Sequence, residues 1–336
     1  MKIFQTGILF FTAFFLLVSC QEEPAKVMTV NGWMDAEEMG VTLTHEHIML
    51  DWTGADSLVF DSWNKDSIFF TVSPYLFELK QFDCNTFIEV TPSYMGRDPE
   101  IYRRLSNETG INIIFSVGYY GAMQNRFVPK HAYTETAEQL AQRWLDEWKN
   151  GCRETGIRPG LIKVGVAYKP ELSELHQKFV RAACMTHLQS GLTIAIHSGP
   201  VARAREILEI FQQEGVAPEA FVWTHALKAT HEEHIEIGNK GAWVSFDKVN
   251  EKNTEELVSA ITNMREHHML NKVLLSHDAG WYNVGQPGGG EFRPYTALFT
   301  NLLPALKKSG FTQEETDQML IKNPIDAYAV RIRKAE

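Results

Sequence analysis

The feature that most constrains the fold of this chain is an alternation: short β-branched runs, separated by segments with helical periodicity, recur from residue 40 onward. The runs are Gly40 to Ile48, Cys84 to Val90, Ile111 to Val117, Leu161 to Ala167, Leu192 to His197, Ala220 to His225, Ala242 to Phe246 and Lys272 to Asp278. Between them lie amphipathic stretches such as Pro99 to Thr109, Thr134 to Gly151, Glu171 to Gln189, Val201 to Gln213 and Thr254 to Met269. A chain written in this way builds βα units around a parallel sheet. Eight strands make a closed (β/α)8 barrel, one domain spanning residues 27–336, the first choice of fold, and an open doubly wound sheet the second. No Gly-x-Gly-x-x-Gly follows an early strand, which lowers the second. The tail from Phe292 to Val330 supplies the last outer helices. The glycine-rich stretch Gly285 to Gly290 reads as a mobile part of the loop after strand eight, since no Lys-Ser or Lys-Thr follows it to hold a phosphate.

The first residues form a separate object. Lys2 precedes an apolar stretch from Ile8 through Val18, and Leu17-Val18-Ser19-Cys20 resembles the lipobox of a bacterial lipoprotein signal. The expectation is a signal peptide over 1–19, an acylated Cys20, a polar tether over 20–26, and a place in the bacterial cell envelope with membrane contact through lipid alone. Forty-two acidic against 32 basic residues give a net charge of −10, which argues against nucleic acid as a partner and favours a small molecule. A homodimer stays open as the assembly. Cys84, Cys152 and Cys184 have no metal-type spacing and read as buried free thiols.

In a barrel, side chains at the C-terminal ends of different strands converge on one site. Those ends carry His45 and His47 on strand one, His197 on strand five, His225 on strand six and Asp278 on strand eight. His45 and His47 share a face because strand side chains alternate with period two. Nitrogen and oxygen donors in this number suit zinc-class ions. Lys163 stands inside Leu161-Ile162-Lys163-Val164, a run that should be buried, where an unpaired ammonium is costly. Either its pKa falls and it serves as a Schiff-base nucleophile, or carbon dioxide converts it to an anionic carbamate that binds metal. His277 points opposite to Asp278, into the strand–helix layer, and reads as structural. The remaining histidines, among them His176, His187 and His234, lack partners in the pattern and are left out of the site.

Several of these stretches resemble the metal-site motifs of the phosphotriesterase family in the amidohydrolase superfamily: Thr42-Leu43-Thr44-His45-Glu46-His47, Ile162-Lys163-Val164, Ala195-Ile196-His197, Trp223-Thr224-His225 and Ser276-His277-Asp278. Met95-Gly96-Arg97-Asp98 and the C-terminal Gln318 to Pro324 extend the likeness over about residues 27 to 330. The resemblance implies a hydrolase with two divalent ions, zinc first, with manganese, cobalt or iron as alternatives. His45, His47 and Asp278 would bind one ion, His197 and His225 the other, and carbamylated Lys163 would bridge them together with a hydroxide. Asp278 would take the proton during attack on an ester or lactone. A phosphotriester or an amide on the same site is the alternative substrate; a Schiff-base aldolase and a non-catalytic ligand-binding lipoprotein are weaker rivals. Tyr120 aligns with a tyrosine that family lactonases hold over the metals, or else packs beside Tyr119. Lys248 stands where those lactonases usually carry an arginine, so their substrate pattern does not transfer intact. With Trp281, Tyr282 and Arg293, Lys248 forms the expected substrate wall, which suits a polar or sugar-derived lactone.

Overall fold

The computed structural model describes residues 24–169 and 171–336. The expected signal peptide and Cys20 lie outside them. Eight parallel staves follow one another in chain order: β3 (Val41–Leu50), β4 (Cys84–Glu89), β5 (Asn112–Val117), β6 (Leu161–Gly165), β7 (Ile194–His197), β8 (Phe221–Thr224), β9 (Trp243–Phe246) and β10 (Val273–Leu275). A short strand β11 (Gly280–Asn283) continues the eighth stave and pairs in parallel with β3, matching Gly280 to His47 and Tyr282 to Met49. The sheet therefore closes on itself as a TIM barrel, and the open doubly wound alternative falls away.

Strand alternation sorts the side chains into layers. Along β6, Leu161 joins Ile88, Ile114, Ala195, Val222, Trp243 and Leu274 in the barrel interior, while Ile162 and Val164 pack outward against the helices. Every stave but β3 thus gives an apolar residue to the floor of the interior. Lys26, expected at the end of the tether, is instead part of a strand. It opens a hairpin of β1 (Lys26–Thr29) and β2 (Gly32–Asp35). Val27, with Ala36 and Met39 of the next turn, then covers the N-terminal end of that interior.

Helices fill the outside, with edges set by their caps. The segment expected from Thr134 begins at Ala137, because Thr136 and Gln139 form a reciprocal capping box and a separate turn, His131–Thr134, precedes it. The segment expected from Glu171 begins at Glu174, where the Ser173 hydroxyl accepts the His176 N–H. Two helices were not foreseen, Lys65–Leu79 and His231–Asn239. The first contains Pro74 and is apolar on nearly every side, so it carries no clear 3.6-residue stripe. The tail supplies outer helices as expected, and Asn323 donates from its amide to the carbonyls of Leu270 and Val273 at 2.7 Å, holding the base of β10. The glycine-rich stretch makes one helical turn, Pro287–Gly289, beside Tyr282.

Closure between the first and last staves depends on a buried carboxylate. Glu46 accepts hydrogen bonds from Ser276 Oγ (2.7 Å), the His277 N–H (2.8 Å), His277 Nδ1 (2.6 Å) and the Ala279 N–H (2.9 Å). Ser276 Oγ in turn accepts from the His45 N–H at 2.9 Å, and the Asp278 N–H donates to the His45 carbonyl at 3.0 Å. Glu46→Ala would leave these donors buried without an acceptor, each at a cost of about 1 to 3 kcal/mol. The expected outcome is a loss of at least about 3 kcal/mol in urea unfolding; stability equal to the parent would show that the closure does not rely on Glu46.

Candidate metal centre

The C-terminal rim gathers the expected residues. On β3, the spacing of two turns both rings toward Asp278: Nε2 of His47 lies 3.1 Å and Nε2 of His45 3.7 Å from Asp278 Oδ1. From β7 and the end of β8, Nδ1 of His197 and Nε2 of His225 face each other at 2.7 Å. Donor atoms of His45, His225 and Asp278 lie within 4.8 Å of one another. Lys163 rises from β6 into this group, 2 % exposed, and its Nζ has no hydrogen-bond partner.

Two of these residues hold unusual backbone. His225 has φ 61° and Asp278 φ 52°, the left-handed region that ordinary residues avoid and that functional sites often force. Asp278 lies within the break between β10 and β11, and only glycine fits two residues on: a Cβ at Gly280 would stand 1.9 Å from the His47 carbonyl oxygen.

The outer nitrogen of each ring has a partner that fixes its orientation. His45 Nδ1 lies 2.9 Å from Asp247 Oδ2, and His225 Nδ1 lies 2.8 Å from Asp247 Oδ1. His47 Nδ1 bonds Thr91 Oγ1 at 2.8 Å, and that hydroxyl donates to Glu89, so the ring is the donor. His197 Nε2 meets the Tyr120 hydroxyl at 3.2 Å. For His45, His47 and His225 the inner nitrogen is thereby free to present a lone pair, as metal ligation requires. Burial pushes the His45 imidazole down to about 4, so it is neutral near pH 7. Burial also lowers the Lys163 ammonium to about 8. For Asp278, burial alone would raise the carboxyl, but the His47 hydrogen bond and the neighbouring imidazoles outweigh it and hold the group well below the usual range. A buried amine without a hydrogen-bond partner, ringed by imidazoles and an ionised carboxylate, fits a divalent-ion site.

The substrate residues divide. Lys248 Nζ lies 3.5 Å from Asp278 Oδ2, and the Arg293 guanidinium stacks 4.0 Å over the Trp281 ring and donates to the Asp278 carbonyl. These three residues line a cavity of about 620 Å³ together with Asp278 and Asn301. Tyr282 does not: alternation along β11 sends it the other way, into the outer core, where its hydroxyl meets Ser67 Oγ at 2.9 Å. Tyr120 lies flat over Gly165, where a Cβ would come within 2.2 Å of the ring, and so reaches His197. A second cavity of about 800 Å³ flanks His225, lined by Tyr168, Pro200, Val201, Leu227 and Lys248.

Sequence reading missed two members. Asp247 is buried between two histidines, and the same strand-end rule that selected His197 would have found it. Tyr168 stacks on His197 with ring centroids 5.0 Å apart, but it sits in a loop whose path no local pattern announces. His277 is turned from the site as expected: Nδ1 is held by Glu46, and Nε2 accepts the Leu298 N–H at 3.0 Å.

Inward imidazoles, an ionised carboxylate and a buried amine at the C-terminal rim of a parallel barrel define a metal-dependent hydrolase. The model of the Phosphotriesterase family matches residues 25–328, and the chain belongs to that family. The Phosphotriesterase homology protein of Escherichia coli K12 is 29% identical over 301 residues, 87% of this chain and 98% of that protein. The N-acetyltaurine hydrolase of Homo sapiens is 23% identical, covering 89% and 96%. Among solved structures, the E. coli phosphotriesterase homology protein complexed with phosphate in its active site matches with a TM-score of 0.73 at 28% identity, over 86% of this chain and 98% of that one. An organophosphorus hydrolase from Deinococcus radiodurans matches with a TM-score of 0.82 at 22% identity, over 92% and 98%, and shares the fold.

Proposed function

We propose that the chain hydrolyses an ester, foremost a polar or sugar-derived lactone, with two divalent ions held by His45, His47 and Asp278 on one side and His197 and His225 on the other. The observation that carries this reading is the partnerless, buried Lys163 Nζ at the centre of the ring. An ammonium there is unstable, and its lowered pKa leaves part of the amine neutral near pH 7. The amine lone pair attacks the carbon of carbon dioxide, an N–C bond forms as one C=O π pair moves to oxygen, and the proton leaves to water. The resulting carbamate is an anion with two oxygens, suited to bridge two cations. Zinc is the first candidate, with manganese, cobalt or iron as alternatives. When bound, such ions polarise a carbonyl and lower the pKa of water.

The chain's own groups do the rest. Asp278 is ionised and accepts the proton from the attacking water, then returns it to the leaving oxygen. Lys248, 3.5 Å from Asp278, and Arg293 on Trp281 present donors at the cavity wall. A hydroxylated or anionic ester satisfies them, and an apolar one leaves them unpaired. Amide hydrolysis by the same residues is the second reading; the likeness to an N-acetyltaurine hydrolase favours it, and the cationic wall suits an amide bearing an anionic group. The envelope location through lipidated Cys20 is also part of this proposal.

Elemental analysis should find about two divalent ions per chain, since one tetrahedral ion cannot use six protein ligands. Lys163→Ala should lose the paired ions, and a short carboxylic acid should restore part of the activity by replacing the carbamate oxygens. Full metal content and rate in Lys163→Ala would refute the bridge.

In a hydrolysis screen, kcat/KM for polar or carboxylated lactones should exceed that for paraoxon-like triesters and long-chain acyl lactones. Lys248→Met or Arg293→Met should reduce it selectively by about 10- to 100-fold, the equivalent of one lost hydrogen bond to a charged group. Faster triester turnover, or unchanged ranking in both variants, would remove the polar-lactone assignment.

A single acyl chain anchors a protein only marginally, so stable attachment needs more than one. Cys20→Ser should release the protein from the membrane fraction or block its processing. Unchanged membrane fractionation of a version lacking residues 1–26 would rule out the lipid anchor.

A further inference from the structure

One carboxylate touches both halves of the centre without being a ligand of either. Asp247, at the end of β9, is 1 % exposed. Its Oδ1 receives the His225 N–H at 3.0 Å and lies 2.8 Å from His225 Nδ1. Its Oδ2 receives the Ser245 hydroxyl at 3.0 Å and lies 2.9 Å from His45 Nδ1. His45 belongs to the half with His47 and Asp278, and His225 to the half with His197.

We propose that Asp247 is a positioning residue that locks both rings, one from each half of the centre, in the Nδ1–H tautomer, so that the two halves become competent to bind cations together. The inference rests on the two-ion reading above. An ionised carboxylate only accepts, so each ring facing it must carry its proton on Nδ1. Nε2 of each ring is then a lone pair, and in both rings it is Nε2 that points inward. The hydrogen bond to His225 and the close contact with His45 restrain the ring planes, and such outer partners raise the basicity of a ligating imidazole.

Replacing the carboxylate by its amide separates this role from simple space filling. Asn has nearly the same shape but only one accepting atom. The His225 N–H is shared between Oδ1 at 3.0 Å and Oδ2 at 3.1 Å, but the His225 ring Nδ1 makes its hydrogen bond to Oδ1 while His45 Nδ1 meets Oδ2 only at ion-pair distance, so the amide oxygen stays at the Oδ1 position. The NH₂ group then takes the Oδ2 position. Ser245 adapts by rotating its hydroxyl and accepting. His45 must also accept at Nδ1, which moves its proton to Nε2 and blocks the lone pair that faces Asp278. Asp247→Asn therefore disables the His45 half and spares the His225 half. Asp247→Ala leaves room for water and lets both rings choose freely, so it weakens both halves without blocking either.

The test is a Co²⁺ titration of metal-free full-length protein, read by cobalt content and visible absorption. The parent should take up about two ions, while Asp247→Asn should take up about one, with affinity at the other half lower by about 100-fold. The retained ion should be lost on adding His197→Ala and kept on adding His47→Ala. Asp247→Ala should still reach about two ions at saturating cobalt, each more weakly held. A merely structural role predicts that Ala is the more damaging change. Two equally tight ions in Asp247→Asn would overturn the lock, whereas a parent that binds none would overturn the two-ion reading instead. A measurement independent of any variant is long-range ¹H–¹⁵N NMR of the metal-free parent labelled at histidine. It should show Nδ1–H on His45 and His225, and an Nε2–H on either ring would overturn the proposal.

Discussion

The Glu46 carboxylate joins the beginning of this barrel to its end. A closed barrel needs its first and last staves to meet, yet the eighth stave is interrupted between Leu275 and Gly280 so that Asp278 can turn into the rim. An interruption exposes backbone N–H groups that a regular ladder would satisfy. Glu46, one residue from each rim histidine of β3, supplies the missing acceptors for His277 and Ala279 and fixes Ser276 beneath His45. The motif His45-Glu46-His47 therefore has two faces: inward toward the cluster of donor atoms at the rim and outward toward the seam that positions Asp278.

The rim repeats this arrangement on each histidine. Every inward nitrogen is defined by what its ring does on the other side: Asp247 for His45 and His225, the Thr91–Glu89 pair for His47, Tyr120 for His197. These outer contacts come from β4, β9 and the loop after β5, so the donor set is a property of most of the barrel. The Lys163 amine has no hydrogen-bond partner. A buried amine left unmatched among imidazoles and carboxylates points to chemistry at that atom. The cavity wall adds the last layer, since the guanidinium of Arg293 on Trp281 and the ammonium of Lys248 place positive charge beside Asp278.

Much of this was readable in advance. The barrel followed from alternation and from β-branched runs of strand length, because period-two and period-3.6 patterns are local properties of the chain. The helix Lys65–Leu79 escaped because its apolar residues face several neighbours at once. The hairpin Lys26–Asp35 escaped because strands of four residues give too few alternations to detect. Tyr282 leaves the expected wall because it lies on β11, where a strand sends successive side chains to opposite faces and Trp281 takes the inner one.

Sequence by itself determined the layer to which each candidate site residue belongs: His45, His47, Lys163, His197, His225 and Asp278 stand at strand ends or inside strands, and strand ends converge in any closed βα barrel. Only the tertiary structure decided which nitrogen of each ring faces inward, that Asp247 serves two histidines at once, and that Lys163 lacks a partner. Hydrogen-bond partners such as Glu46 and His277, 231 residues apart, meet only when the barrel closes. Tautomer and charge at a buried site are set by contacts of that kind, because in a low-dielectric interior a donor or acceptor within 3 Å outweighs anything local sequence supplies.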